Sequence, residues 1–428
     1  MKKSPYWWDD AGPPAPAGTG ELAPEADAAV VGAGLTGLTA ALTLAKSGKS
    51  VVVLDALNPG QGASSRNGGM IGGGHRIPQE LIFTRYGNSL AKRLLSELHI
   101  ESTEFSLRLM KVEGIDCDFQ KSGRLHLFWR SSEYDPMMRR LELLRRTIPV
   151  EATPVPASEL HREINSTAYR GAILYHLHGG LNPAKWVAGI REAAERSGAL
   201  VYGNCLVRSI DQTRTGFQLD TALGTLRAGK VLVATNGYTT RGLGRVRHRV
   251  FPVPSFIVTT ESLGESAVGK LMPGQRMYVE SRQRHCYYRA SPNRRRIVFG
   301  GRAALVKPPD SFFTGQLRKL MTGIFPQLRG VGISHSWWGR TGFTFATLPH
   351  VGQIDGIWHA LGYCGNGNGM APWLGHKAAL KMIGDPAGET AFSKIEAPAR
   401  WYYNGFPWFM PFADLRFRLE DMTSSIGR

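Results

Sequence analysis

Gly32, Gly34 and Gly37 stand in the run Gly32-Ala33-Gly34-Leu35-Thr36-Gly37, a spacing suited to holding a dinucleotide. Gly32 permits a tight turn, Gly34 lets the main chain approach a pyrophosphate, and Gly37 lets a helix pack closely on a strand. Asp55 can accept hydrogen bonds from a ribose. The elements that must position these residues are legible around them. Residues 27–31 read as a short apolar strand, and Leu38, Ala41, Leu42 and Ala45 recur at helical spacing until Gly48. Val51–Leu54 is a second apolar strand that ends at Asp55. The helix start then faces the phosphates with free N–H groups and the positive end of its dipole. This pattern alone does not separate a flavin from a nicotinamide dinucleotide.

Four further segments follow in order. They are Gly62-Ala63-Ser64-Ser65-Arg66-Asn67-Gly68-Gly69-Met70, Gly179-Gly180-Leu181-Asn182-Pro183-Ala184-Lys185, Val231-Leu232-Val233-Ala234-Thr235-Asn236-Gly237-Tyr238 and Leu361-Gly362-Tyr363-Cys364-Gly365-Asn366-Gly367. With the first motif, this ordered set resembles the D-amino-acid-oxidase-like family of flavoenzymes, especially its γ-glutamylputrescine-oxidase-like branch. The resemblance spans roughly 27–400. It implies FAD, held by Gly32, Gly34, Leu35, Thr36, Gly37 and Asp55 at the first turn, and by Ala63, Ser64, Arg66, Asn67, Gly68, Gly69 and Met70 along the flavin. Val207, Thr235 and Asn236 would join them, with Gly365, Asn366, Gly367, Asn368, Gly369 and Met370 at the late turn. A glycine turn opening a helix there offers backbone donors where negative charge develops on the reduced flavin.

Departures from the family shape the expectation. Asn67 stands where some relatives carry a flavin-linking His, and Phe343 falls about where sarcosine oxidases carry a Cys, so FAD should be non-covalent. Gly369 replaces a carboxylate-binding Lys, and an Arg of those relatives maps near Gly73. A small N-methyl amino acid is therefore less expected than an amine whose reacting nitrogen lies away from any carboxylate, unless Arg289, Arg302 or Arg340 compensates. A second G-x-G-x-x-G after a strand is missing, so the substrate itself should reduce the flavin.

The flavin does the difficult chemistry, and the protein supplies position and electrostatics. Hydride loss from carbon requires a neutral amine, which a desolvated aromatic pocket favours. The resemblance places Cys286-Tyr287-Tyr288-Arg289 and Trp337-Trp338-Gly339-Arg340 at the cavity. Strand alternation lets one aromatic of each pair face the flavin, and Tyr288 and Trp338 are the candidates. His75, in Gly72-Gly73-Gly74-His75-Arg76, is the candidate proton acceptor. The expected reaction is oxidation of an amine C–N bond by hydride transfer to flavin N5, giving an imine that water hydrolyses. Oxidation of a 2-hydroxy acid, with His75 as base, and a tRNA-modifying flavoprotein are the alternatives.

Length and pattern fit an α/β architecture of two interleaved parts. Residues 27–85, 166–245 and 341–398 read as a Rossmann-like FAD-binding domain, with a helix over 183–198, a strand at Leu200–Tyr202 and a late helix over about 370–383. Residues 86–165, helical and charged, and 246–340, alternating like antiparallel strands, read as an α+β substrate domain built on a mixed or antiparallel sheet. Residues 1–26 form an N-terminal arm, rich in Ala, Pro and Gly over 11–26, whose Tyr6-Trp7-Trp8 should pack back on the body. Residues 399–428 form an aromatic strap against the body or a partner subunit, a homodimer being one arrangement.

Lys and Arg number 52 against 34 Asp and Glu, a net charge of +18. Arg294-Arg295-Arg296 is the one tight cluster. Without aromatic–basic interleaving suited to base stacking, the expectation is a solvated basic surface and no nucleic-acid partner. Four scattered cysteines make neither a disulfide framework nor a zinc site. No apolar run approaches a membrane span. The expected setting is the cytoplasm, with the amine as small-molecule partner and O2 or another carrier as electron acceptor.

Overall fold

The computed structural model describes the chain except Thr19, Gln283, Arg284 and residues 424–428, and the side chains beyond Arg416. The Ala/Val run of Glu25–Val31 forms a strand buried on both faces, as a parallel sheet demands. It pairs in parallel with Val51–Leu54 on one side and Gly224–Val233 on the other. Leu200–Tyr202 and Ile357–Leu361 extend the sheet in parallel, and His350–Ile354 closes one edge antiparallel. An antiparallel meander, Val207–Gln212 and Phe217–Thr221, leads into Gly224–Val233. The helices Leu35–Lys46 and Gly367–Ile383 cross on one face of this sheet. A Cβ at Gly375 would overlap the Thr36 backbone, so the crossing requires glycine. The Thr36 and Tyr363 hydroxyls bond at 2.7 Å beside it.

The second sheet also has eight strands among the described residues. Ile333–Phe343, Phe251–Thr260, Ile297–Gly301, Cys286–Ala290 and Met277–Glu280 run antiparallel in that order. Arg124–Leu127 joins in parallel with Met277–Glu280, then Gly171–Tyr175 and Ala152–Pro156 complete the sheet. The fold is therefore α/β with a mixed second sheet. Two details differ from the sequence-based division. Residues 86–165 contribute two strands besides helices, and Gly171–Tyr175 belongs to the second sheet although it lies in a segment expected in the first. Arg124–Leu127 and Ala152–Pro156 lack the apolar run that marked the parallel strands, whereas the apolar Gly171–Tyr175 reads alike for either sheet.

The N-terminal arm lies against the body. Lys2 bridges to the strand Ile333–Phe343, and Trp7 is fully buried. At the other end, a helix over Met410–Thr423 forms despite Pro411, which occupies its first turn, where a missing N–H costs nothing. Phe251, Phe345, Tyr403 and Phe409 pack beneath it, and the Tyr403 hydroxyl donates to Val250 O at 2.8 Å. Trp401 and Phe412 point outward, 97% and 69% exposed. No helix among the described residues is long and apolar enough to cross a membrane.

Candidate active site

A cavity of about 490 Å³ runs from the first glycine turn to the second sheet. One end is built by the turn between Glu25–Val31 and Leu35–Lys46. Gly32 has φ 107°, a left-handed conformation that side chains resist. A Cβ at Gly37 would overlap the Gly32 carbonyl oxygen, which fixes glycine at the point where helix meets strand. Asp55 sits at the end of Val51–Leu54, its carboxylate accepting from the N–H groups of Ala33 and Leu57 at 2.7 and 2.8 Å. Burial raises its pKa, and those two donors oppose the rise. Leu35 N–H donates to Ser64 Oγ at 3.0 Å, which ties the glycine turn to the short helix Ala63–Arg66.

The loop 63–70 lies along the cavity and is joined to the late turn by two amides. Asn368 Nδ2 donates to Asn67 Oδ1 at 2.9 Å and to Met70 O at 2.9 Å, while Asn67 Nδ2 reaches Asn368 Oδ1 at 3.2 Å. The late turn needs two consecutive left-handed residues, Cys364 at φ 52° and Gly365 at φ 105°. It delivers the helix Gly367–Ile383 with its N-terminus at the cavity. Val207, Thr235 and Asn236 also line the wall.

Most of the residues expected to hold FAD border this cavity. Gly37, Gly69, Gly369 and Met370 do not. Gly37 acts through packing, Gly69 lies against Leu181 and Trp7, Gly369 against Ser102, and Met370 is core. The cavity fits a dinucleotide on the structure's own terms: a Cβ-intolerant turn, a helix start, an acidic strand end and a long groove beyond them.

The catalytic candidates need correction. Tyr288 faces the core of the second sheet, not the cavity. It stacks between Tyr278 and Phe299 at 5.2 and 5.4 Å and donates to Tyr169 Oη at 2.9 Å. Alternation holds with the opposite parity, and Tyr287 lines the cavity. Its ring lies over Gly300, its cross-strand partner, and against Gly68, and its hydroxyl bonds Ser255 Oγ at 2.8 Å. Burial pushes the Tyr287 phenol up to about 12, so it is neutral at ordinary pH.

Trp338 likewise sits on the far face of its strand, under Lys307. Its neighbour Trp337 is buried and donates to Arg66 O at 2.8 Å. His75 lies beside a separate small void of about 10 Å³ behind the late turn, its Nδ1 2.8 Å from His99 Nε2. Burial lowers its pKa to about 4. The hydroxy-acid alternative loses its base at this position.

Sequence reasoning named Arg302 and Arg340 as possible compensating cations but missed Arg76. Arg76 and Arg302 both line the cavity, with their guanidinium carbons 5.6 and 5.0 Å from the ring of Phe343. Arg76 Nε donates to Cys364 O at 2.6 Å. Burial, then the neighbouring Arg76, pull Arg302 down to about 9, still protonated at neutral pH. Arg76 stood beside His75 in the quoted run, and the signal was the arginine. Of the three compensating arginines considered, Arg302 and Arg340 reach the cavity and Arg289 lies behind the loop.

A glycine-turn groove at a parallel sheet, roofed by a second sheet that brings aromatic and cationic side chains, defines a dinucleotide-dependent oxidoreductase. The DAO family model, described as FAD dependent oxidoreductase, matches residues 27–380, and the chain belongs to that family. It is 31% identical over 371 residues to γ-glutamylputrescine oxidoreductase of Escherichia coli (strain K12), covering 86% of each chain. It is 29% identical over 378 residues to a probable oxidoreductase of Rhizobium meliloti (strain 1021), covering 88% of this chain and 87% of that one. Glycine oxidase from Geobacillus kaustophilus has the same fold, with TM-score 0.71 at 22% identity over 89% of this chain and all of that one. The protein is an FAD-dependent enzyme.

Proposed function

We propose that this chain oxidises the carbon–nitrogen bond of an amine that also carries an acidic group. The observation that carries this reading is the pairing of Arg76 and Arg302 on Phe343 at the cavity wall, beside Tyr287. Two enclosed guanidiniums next to an aromatic surface suit a carboxylate at one end of a substrate and an apolar chain at the other. The E. coli relative is named for γ-glutamylputrescine, a diamine joined to an acidic glutamyl group.

FAD, when bound, supplies the acceptor for the hydride that leaves the carbon beside nitrogen. Gly32, Gly34 and the N–H groups opening Leu35–Lys46 would hold its pyrophosphate, Asp55 its ribose, and residues 63–70 with the late turn its ring system. The protein's own side chains handle the substrate. Arg76 and Arg302 anchor the acidic end, and desolvation in the cavity favours the neutral form of the reacting nitrogen. Tyr287, fixed by Ser255 and wedged between Gly68 and Gly300, forms an aromatic wall for the chain between the two ends. Loss of hydride and one N–H proton leaves a C=N bond, which water converts to a carbonyl compound and a released amine or ammonia. The electron acceptor is O2 or another carrier, and four buried cysteines that form no disulfide among the described residues suit the reducing cytoplasm.

The test compares Arg302→Ala and Arg76→Ala with the parent enzyme on an amine bearing a remote carboxylate and on its amide analogue. Each variant should raise KM for the acid about 10- to 100-fold, the loss of a charged hydrogen bond, and change KM for the amide little. Equal losses on both substrates would refute the acidic-amine reading.

A further inference from the structure

The loop 65–69 is held from behind by four buried or half-buried donors. Trp8 Nε1 donates to Ser65 Oγ at 3.2 Å, Trp337 Nε1 to Arg66 O at 2.8 Å, and Trp7 Nε1 to Asn67 O at 2.7 Å. Arg289 Nη1 donates to Gly69 O at 2.6 Å and to Leu181 O at 2.9 Å. Ser65, Arg66, Asn67 and Gly69 are thus each fixed by a different side chain, on the side away from the cavity that Arg66, Asn67, Gly68 and Met70 line. Asn67 is also the residue whose amide reaches Asn368 in the late turn. Two of the four donors belong to the N-terminal arm, which precedes residue 27, where the family match begins.

Arg289 is unusual in itself. It is 1% exposed, its guanidinium carbon lies 5.7 Å from the centre of the Trp7 ring, and its acceptors are all backbone carbonyls, Ala290 O included. No carboxylate lies within ion-pair distance of it among the described residues. Asp118, whose charge acts on it, is bonded to Lys185 instead. A desolvated guanidinium without a counter-ion is costly unless its charge is used. Here it stands one peptide behind the cavity wall, where a fixed positive charge stabilises negative charge developing on the other side.

We propose that the N-terminal arm is part of the flavin site: Trp7 and Trp8, with Trp337, position the loop against which the flavin lies, and Arg289 sets a positive potential behind it. The proposal rests on the reading that residues 63–70 carry the flavin. It separates two roles. The indoles act on how tightly FAD is held, because a loop left to fluctuate must be ordered again when FAD binds. The guanidinium acts on how readily the flavin accepts electrons, because it favours the anionic reduced form.

The experiment uses full-length protein stripped of FAD and titrated with FAD by fluorescence, together with flavin midpoint potentials by dye equilibration. Trp7→Phe keeps the ring and removes the donor, and should raise the FAD Kd about five- to tenfold, one hydrogen bond's worth. Trp8→Phe, at a half-buried site that tolerates the change, should raise it less. Arg289→Met should lower the midpoint potential. Arg289→Lys keeps the charge without the fork, so it should weaken FAD yet leave the potential near that of the parent. Trp401→Phe, on the exposed strap, should move neither quantity. Indole variants that lower the apoprotein's thermal midpoint but leave FAD Kd unchanged would reduce the arm to packing. An unchanged potential in Arg289→Met would remove the electrostatic role. Neither readout needs substrate, so both stand apart from the identity of the amine. Parent protein that bound no FAD would overturn the flavin reading and this proposal with it.

Discussion

The side-chain amides of Asn67 and Asn368 bond to each other in both directions, at 2.9 and 3.2 Å, across 301 residues of sequence. Asn67 belongs to the loop that follows the second strand, and Asn368 to the first turn of Gly367–Ile383. The pair locks the two walls of the cavity in register. Asn67 also bonds within its own loop, its Nδ2 donating to Ser64 O and its Oδ1 accepting from Gly69 N–H, both at 2.9 Å, so breaking the pair loosens Asn368 and the late turn from a loop that is otherwise pinned. Asn67→Ala and Asn368→Ala should each weaken FAD about tenfold, and the double variant should lose less than the product of the two. Additive losses in FAD titrations would show that the two walls are held independently.

Gly34→Val should yield colourless protein. Its Cβ would stand 2.8 Å from Ser64 Oγ, and the branches would occupy the space where the pyrophosphate must approach the backbone. The ratio of flavin to protein absorbance after purification reads this directly. A yellow variant would contradict the cofactor placement.

Tyr287→Phe and Tyr288→Phe should give opposite results. The first frees the ring that Ser255 fixes at the cavity wall, so anaerobic flavin reduction by substrate should slow, with a smaller change in thermal midpoint than Tyr288→Phe gives. The second deprives buried Tyr169 of a donor within the sheet's core. It should cost about 1–2 kcal/mol of stability and leave reduction kinetics alone. Stopped-flow reduction and thermal unfolding on the same two proteins decide between the faces.

Acid should destabilise the fold before its carboxylates titrate. Burial holds His75, His126, His350 and His376 near 4, below the usual histidine value of 6.5. A depressed histidine contributes stability that is full above pH 6.5 and is lost as pH falls toward 4, because the unfolded chain takes up the proton first. Thermal midpoints should therefore fall steeply between pH 6.5 and 4. A flat profile in that window would mean these imidazoles are not buried as neutral groups.

The sequence disclosed what depends on local backbone demands. Gly32, Gly34, Gly37 and Asp55 were legible because a pyrophosphate turn constrains residue type at fixed spacing. Gly365 and its helix were legible for the same reason, helped by resemblance. What depends on strand parity was not. Tyr287 and Tyr288 are adjacent, and choosing between them needs the register with Ile297–Gly301, where Gly300 leaves room for one ring and Phe299 stacks on the other. Arg76 and Arg302 lie far apart in the chain, and no spacing announces that both rest on Phe343. The indoles of Trp7 and Trp8 were legible as aromatic residues too apolar for a free tail, but their target, the loop at Ser65 and Asn67, is a tertiary fact.

The most direct measurement is anaerobic mixing of the FAD-loaded protein with a panel of amines that bear a remote carboxylate, neutral amines, amino acids and 2-hydroxy acids, following the flavin's yellow absorbance. Bleaching by an acid-bearing amine, faster than by its neutral counterpart, is the predicted result, and admission of air then reports whether O2 restores the colour. Bleaching by a 2-hydroxy acid with no response to any amine would contradict the account.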